Sequence, residues 1–145
     1  MPRRDPTEFF ETFGSVRRRL HAMAADVYAA IDLGPMQAKL LRHIDARTGP
    51  HRPISQAELA RVTDSDPALA GRVLGALIAR GLVVRKRSDE DRREYVLTLT
   101  AAGRRTRERI EQLRGELAAR VVTALDQRDL DDFARIARKI LAEGK

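Results

Sequence analysis

The stretch SQAELARVTDSDPALAGRVLGALIARG, followed by LVVRKR, SDEDRR and EYVLTLT, sets start and stop signals so close together that few folds fit it. Ser55 and Glu58 form a capping box, with Ile54 and Leu59 at the staple positions, so a helix starts at Ser55. After a turn of about four residues Asp66 caps a second helix with Pro67 at its first position. That helix runs to Arg80 and is closed by Gly81. LVVRKR and EYVLTLT are β-prone runs, and SDEDRR between them reads as the charged tip of a hairpin. Helix, turn, helix and hairpin in this order make a winged helix-turn-helix, assigned to residues 34–103 with its wing at 82–99.

The flanks are helical and striped. Asp5 reads as an N-cap, with Pro6 at the first helical position and Glu8 three residues after the cap. Phe9, Phe13, Val16, Leu20, Met23, Val27 and Ile31 then recur every three or four residues and draw one apolar face. Gly34-Pro35 breaks this helix, and a short one follows as MQAKLLRHIDA, ending before Thr48-Gly49-Pro50. Thr100 caps a long helix containing Ile110, Leu113, Leu117, Val121 and Leu125. Asp126, with Asp129 at the capping-box position and Leu125 and Leu130 as the staple, starts a last helix that carries Phe133, Ile136, Ile140 and Leu141. The fold class is therefore mainly α (α+β): one domain over 1–145, its winged helix flanked by dimerisation helices at 5–33 and 104–145. The end stripes are wider than one small domain needs, and a second copy of the chain is what would bury them. The interface set is Phe9, Phe13, Val16, Leu117, Val121, Phe133, Ile136 and Ile140.

A chain of 145 residues is normally one domain, long enough to bury a core. It has no cysteine, which excludes disulfides and thiolate chemistry. No apolar run is long enough for a membrane span, and MPRRDPTEFFETF lacks the apolar core of a signal peptide, so a cytoplasmic protein without a membrane partner is expected. The net charge is +7, and between Arg72 and Arg109 eleven Lys or Arg face five Asp or Glu. Of the 28 basic residues 24 are arginine, whose planar fork suits phosphate and guanine edges. Such a concentrated excess points to a polyanionic partner. His21, His43 and His51 have neither helical i,i+4 spacing nor an acidic cluster beside them, so no metal is expected. With no nucleophile elbow, P-loop or GxGxxG, neither catalysis nor a cofactor is expected.

The run Asp91, one residue, Arg93, five residues, Leu99-Thr100 and Gly103, written DRREYVLTLTAAG, resembles the wing of the MarR family of winged-helix transcriptional regulators. SQAELA before the turn and ALIARGLV into the hairpin agree with it, and the likeness runs over nearly the whole chain. The resemblance implies a homodimer on a pseudo-palindromic operator in double-stranded DNA, with recognition helices in successive major grooves and wings in the flanking minor grooves. It also implies a repressor released by a small, often aromatic or phenolic, molecule lodged between the dimer helices and the winged helix. Tyr28, Met36 and His43 are the conspicuous candidates near that pocket, although as core residues they need no ligand.

Within that resemblance the acidic wing has a physical reading. A lone arginine at a hairpin tip loses rotamer entropy on binding. Asp91 is expected to hold the Arg93 guanidinium in one pose, presented to a narrow A·T-rich minor groove, while Asp89 and Glu90 either trim nonspecific phosphate attraction and cap the turn or, taken singly, are plain solvated turn residues. Arg85, Lys86, Arg87 and Arg92 are expected at phosphates. Arg72 is the expected base or phosphate reader, Ala68 or Leu69 lies against a thymine methyl, and Ser55 joins the DNA-facing set. The recognition helix departs from the family pattern. It offers Ala68, Leu69, Gly71, Gly75 and Ala76 where polar side chains are usual, so direct readout is expected to be sparse. Two rivals follow: a weakly specific architectural DNA-binding protein without an effector, and a helical interaction module that has lost DNA binding.

Overall fold

The computed structural model describes residues 4–44 and 53–144. The proposed break at Thr48-Gly49-Pro50, the Asp45-Ala46 end of the second helix and His51 lie outside them. In chain order the elements are α1 (Glu8–Ala29), α2 (Pro35–His43), β1 (Ile54–Ser55), α3 (Gln56–Val62), α4 (Pro67–Ala79), β2 (Val83–Arg87), β3 (Tyr95–Leu99), α5 (Ala101–Val122) and α6 (Gln127–Ala142).

Capping chemistry places the helix starts. The Ser55 hydroxyl accepts from the Glu58 amide at 3.0 Å, the Asp66 carboxylate from Leu69 at 2.9 Å, and Thr100 Oγ1 from Gly103 at 2.9 Å. Asp126 and Asp129 form the reciprocal box, each side chain accepting from the other's amide at 2.8 and 3.0 Å. These side chains satisfy amides that a helix start leaves without partners. At the first helix the expectation needs adjusting. Asp5 does accept from Thr7, at 2.9 Å, but the Glu8, Phe9 and Phe10 amides reach back only three residues, so a tight turn precedes α1 proper. α2 ends at His43, where Ile44 turns extended. Gly81, at φ +72°, closes α4 in the left-handed conformation a β-carbon disfavours.

The wing is more than a hairpin. Residues 54–55 form a strand of their own, giving a three-stranded antiparallel sheet in the order β1-β3-β2. Ile54 pairs with Leu97 and Ser55 with Val96, while Val83–Arg87 pair with Leu99–Tyr95. Two residues carry too little alternation to announce a strand; only the edge of β3 makes them one. Ile54 is nonetheless buried, as its staple position required.

The core gathers Leu40, Leu41, Ile44, Leu59, Leu74, Leu77, Leu97 and Ile110, all fully buried, between α2, α3, α4, the sheet and the first half of α5. Arg42 ties α2 to α5: its Nε donates to Glu111 Oε1 at 3.1 Å, and Arg107 Nε donates to the Arg42 carbonyl at 3.2 Å. Beyond this core the chain ends project. Of α1 only Tyr28 is buried, and α6 buries none of its residues. No helix among the described residues is long and apolar enough to cross a membrane.

Candidate nucleic-acid interface

The base of the wing is a knot of backbone bonds around Thr100. Its Oγ1 donates to the Gly81 carbonyl at 2.7 Å, its amide donates to the Leu82 carbonyl at 3.1 Å, and Arg104 Nη1 donates to the Leu99 carbonyl at 3.1 Å. The end of α4, the base of the hairpin and the start of α5 are thereby joined at one point.

At the tip, Asp91 Oδ1 accepts from the Arg93 amide at 3.0 Å and from Arg93 Nε at 3.4 Å. The Arg93 side chain is 93% exposed all the same. The carboxylate grips one edge of the guanidinium and leaves the outer nitrogens in solvent. An exposed pair of this kind contributes little to stability; what it restricts is the pose. The turn itself is built differently from the expectation. Ser88 Oγ, not Asp89 or Glu90, caps it, accepting from the Glu90 and Asp91 amides at 3.2 Å each. The loop closes through the Ser88 amide to the Glu94 carbonyl at 2.9 Å and the Glu94 amide to the Asp91 carbonyl at 3.0 Å. Asp89 and Glu90 are exposed.

Arg85 and Arg87 lean on a residue absent from the sequence-derived set. Their guanidinium carbons lie 5.1 and 5.0 Å from the centre of the Tyr95 ring. Arg87 also donates to the Tyr95 hydroxyl at 3.3 Å and to the Arg92 carbonyl, and Arg85 donates to Gln56 Oε1 at 3.4 Å. The relation follows from the strand register: with Val83 opposite Leu99, two-residue alternation puts Tyr95 directly across from Arg87. Lys86 points to the other sheet face and, like Arg92, is exposed.

On α4, Ala68, Leu69, Arg72, Gly75 and Ala76 are exposed, as expected. Gly71 is not; it is half-buried, and a β-carbon there would meet Gln56 Nε2 at 3.4 Å. Ser55 is half-buried and its hydroxyl serves α3. Nothing lies within 4 Å of a β-carbon built on Gly75, so packing inside the chain does not require that glycine.

Of the three ligand candidates Tyr28 is buried, while Met36 and His43 are half-buried. Tyr28 belongs to the core cluster, where burial raises its hydroxyl pKa above the ordinary value near 10.0 against the opposing pull of Arg42 and Arg114. Met36 packs against the same cluster, with Ser65 Oγ 4.0 Å from its sulfur. His43 Nδ1 donates to the Lys39 carbonyl at 2.8 Å. Among the described residues no cluster of His, Asp and Glu could hold a metal ion.

Phe9, Phe13, Val16, Phe133, Ile136 and Ile140 are exposed, and Leu117 and Val121 are half-buried.

Residues 31–94 match the model of the MarR family. The HTH-type transcriptional regulator BilQ of Clostridium symbiosum is 30% identical over 86 residues, which are 59% of this chain and 60% of BilQ, so the chain spans less than two thirds of that relative. The transcriptional repressor CouR, solved on a 23-mer DNA duplex, is 27% identical over 97% of this chain and 99% of its own, with a TM-score of 0.80. A cysteine-to-serine mutant of MarR from E. coli, solved with operator DNA, superposes with a TM-score of 0.83 over 92% of this chain and 94% of its own, at 22% identity. By these matches residues 31–94 are similar to the winged helix of the MarR family, and over nearly its whole length the chain has the fold of solved MarR-type transcriptional regulators.

Proposed function

We propose that the protein is a homodimeric DNA-binding transcriptional regulator, a repressor, that grips double-stranded DNA with α4 and the wing. The observation that carries this reading is Arg93: a guanidinium held by Asp91 yet 93% exposed at the end of a hairpin. A charge already ordered and still solvated suits a narrow, negative minor groove. CouR, similar over nearly the whole chain, is a repressor bound to DNA. Dimerisation is supported by α6, which presents Phe133, Ile136, Ile140 and Leu141 to solvent and buries nothing.

Release by a small aromatic or phenolic ligand completes the proposal. Tyr28 and Met36 are packed into the core, so a ligand acting through them must loosen the junction of α1 and α2. Titrating phenolic acids into the DNA complex tests this part separately; dissociation at constant salt supports it.

A second reading is favoured by the face of α4. Apart from Arg72 it offers Ala68, Leu69, Gly75 and Ala76, whose side chains make no hydrogen bonds to base edges. A weakly specific DNA-binding protein fits that face. One experiment separates the two. Fragments of the source genome are selected on the purified protein and affinities are compared with random duplex across salt. A palindromic site bound at least about a thousandfold tighter than random DNA supports the regulator, and a small ratio with a steep salt dependence supports the second reading. Absence of any complex at low salt defeats both.

A further inference from the structure

We propose that Tyr95 is a positioning residue for DNA binding: it carries Arg85 and Arg87 as a pre-set phosphate-binding ridge between the recognition helix and the wing tip. The inference rests on the DNA-binding reading above and adds to it a residue and a mechanism.

The contacts run in one line. Gln56, seated beside Gly71 of α4, accepts from Arg85; Arg85 lies over the Tyr95 ring; Arg87 lies over the same ring and bonds its hydroxyl; and the other arm of Arg87 reaches the Arg92 carbonyl next to the fingertip. Tyr95 is 39% exposed, one of only two tyrosines in the chain, and stands where an apolar ring has no core to fill. Its cross-strand partner is Arg87.

The physical consequence concerns entropy and geometry. A free arginine gives up several rotors on meeting a phosphate. A guanidinium laid on an aromatic ring has already lost them, and its in-plane N–H groups still point outward. Two such groups on one ring are held at a fixed spacing, which suits a line of phosphates better than a base edge. The same line ties the wing to α3, whose Gln56 sits beside Gly71 of α4, and so couples the wing to the helix-turn-helix.

The test measures DNA affinity across salt for the wild type, Tyr95→Phe, Tyr95→Ala, Gln56→Ala, Arg87→Ala and the Tyr95→Ala/Arg87→Ala pair, using the tightest selected fragment. Tyr95→Ala is expected to weaken binding about tenfold and to flatten the salt slope by the loss of one to two phosphate contacts, about 0.9 each. Tyr95→Phe keeps the ring and should keep the wild-type slope. The double variant should be hardly worse than Tyr95→Ala, because Arg87 acts through the ring. A wild-type slope in folded Tyr95→Ala overturns the proposal, as does a Phe variant as weak as the Ala variant. Should Tyr95→Ala fail to fold, Gln56→Ala decides: a slope reduced by about one contact sustains the ridge, and an unchanged slope removes it. A wild type that binds no DNA defeats the functional reading itself, whereas a binding wild type with an indifferent Tyr95 defeats only the ridge.

Discussion

At Gly103 a β-carbon would overlap the carbonyl oxygen of Leu82 and come within 3.3 Å of Leu99 Cβ, where neither backbone nor buried leucine can move aside. Gly103→Ala should therefore destabilise the protein by about 3 kcal/mol, read from urea unfolding. Gly75 is the opposite case, an exposed helical glycine with open space around it. Gly75→Ala should gain about 1 kcal/mol in the same assay, while weakening DNA binding if the duplex backbone approaches there. Tyr28 adds a pH effect. Its folded-state pKa is raised, so the folded form holds its proton at a pH where the unfolded chain has begun to lose it. Its contribution is intact below pH 10.0, declines as pH rises beyond that, and is gone above the folded-state pKa. Tyr28→Phe should flatten the alkaline fall in stability between those limits. The Asp91–Arg93 pairing was legible because two residues of separation keep the partners within reach whatever the fold does. Tyr95 was not, because its importance lies in Arg85 and Arg87 on the neighbouring strand.

Helices α3 to α6 owe their starts to single side chains, and among these Thr100 carries more than one duty. It caps α5 and also bonds the Gly81 carbonyl. Thr100→Ala should cost about 1–2 kcal/mol. Because the knot joins α4 to the wing, the same variant should lower DNA affinity further than its stability loss explains, measured well below the melting temperature. Helix starts were readable from Ser55, Asp66, Thr100 and Asp126 because a cap needs only its own next three residues. The first turn of α1 and the end of α2 were less so, since a tight turn and an extended Ile44 leave no distinct residue signature. The strand at Ile54–Ser55 exists because β3 offers it an edge. The cap of the wing turn was illegible for a local reason: Ser88 and Asp89 are both able to accept from the amides that follow, and composition does not say which is turned inward.

For the molecule as a whole the decisive matter is what covers its ends. α6 displays one apolar face to solvent, and the first half of α1 adds the exposed rings of Phe9, Phe10 and Phe13, with Phe9 lying against the other two. Introducing Asp at both Phe133 and Ile136 should turn a dimer into a monomer in sedimentation. Losing the second DNA-binding arm should cost at least about a hundredfold in affinity for a palindromic site. The chain's own order of residues was enough to specify the helices, the hairpin, the acid-held arginine and the apolar stripes, because caps, turns and periodicity act over a few neighbouring positions. Tertiary structure alone decided that the sheet has a third strand, that Tyr95 bears two arginines, and that Tyr28 is buried in the core with Met36 packed against it. Each of these depends on which distant segments come together, and that is set by packing a common core rather than by any local signal.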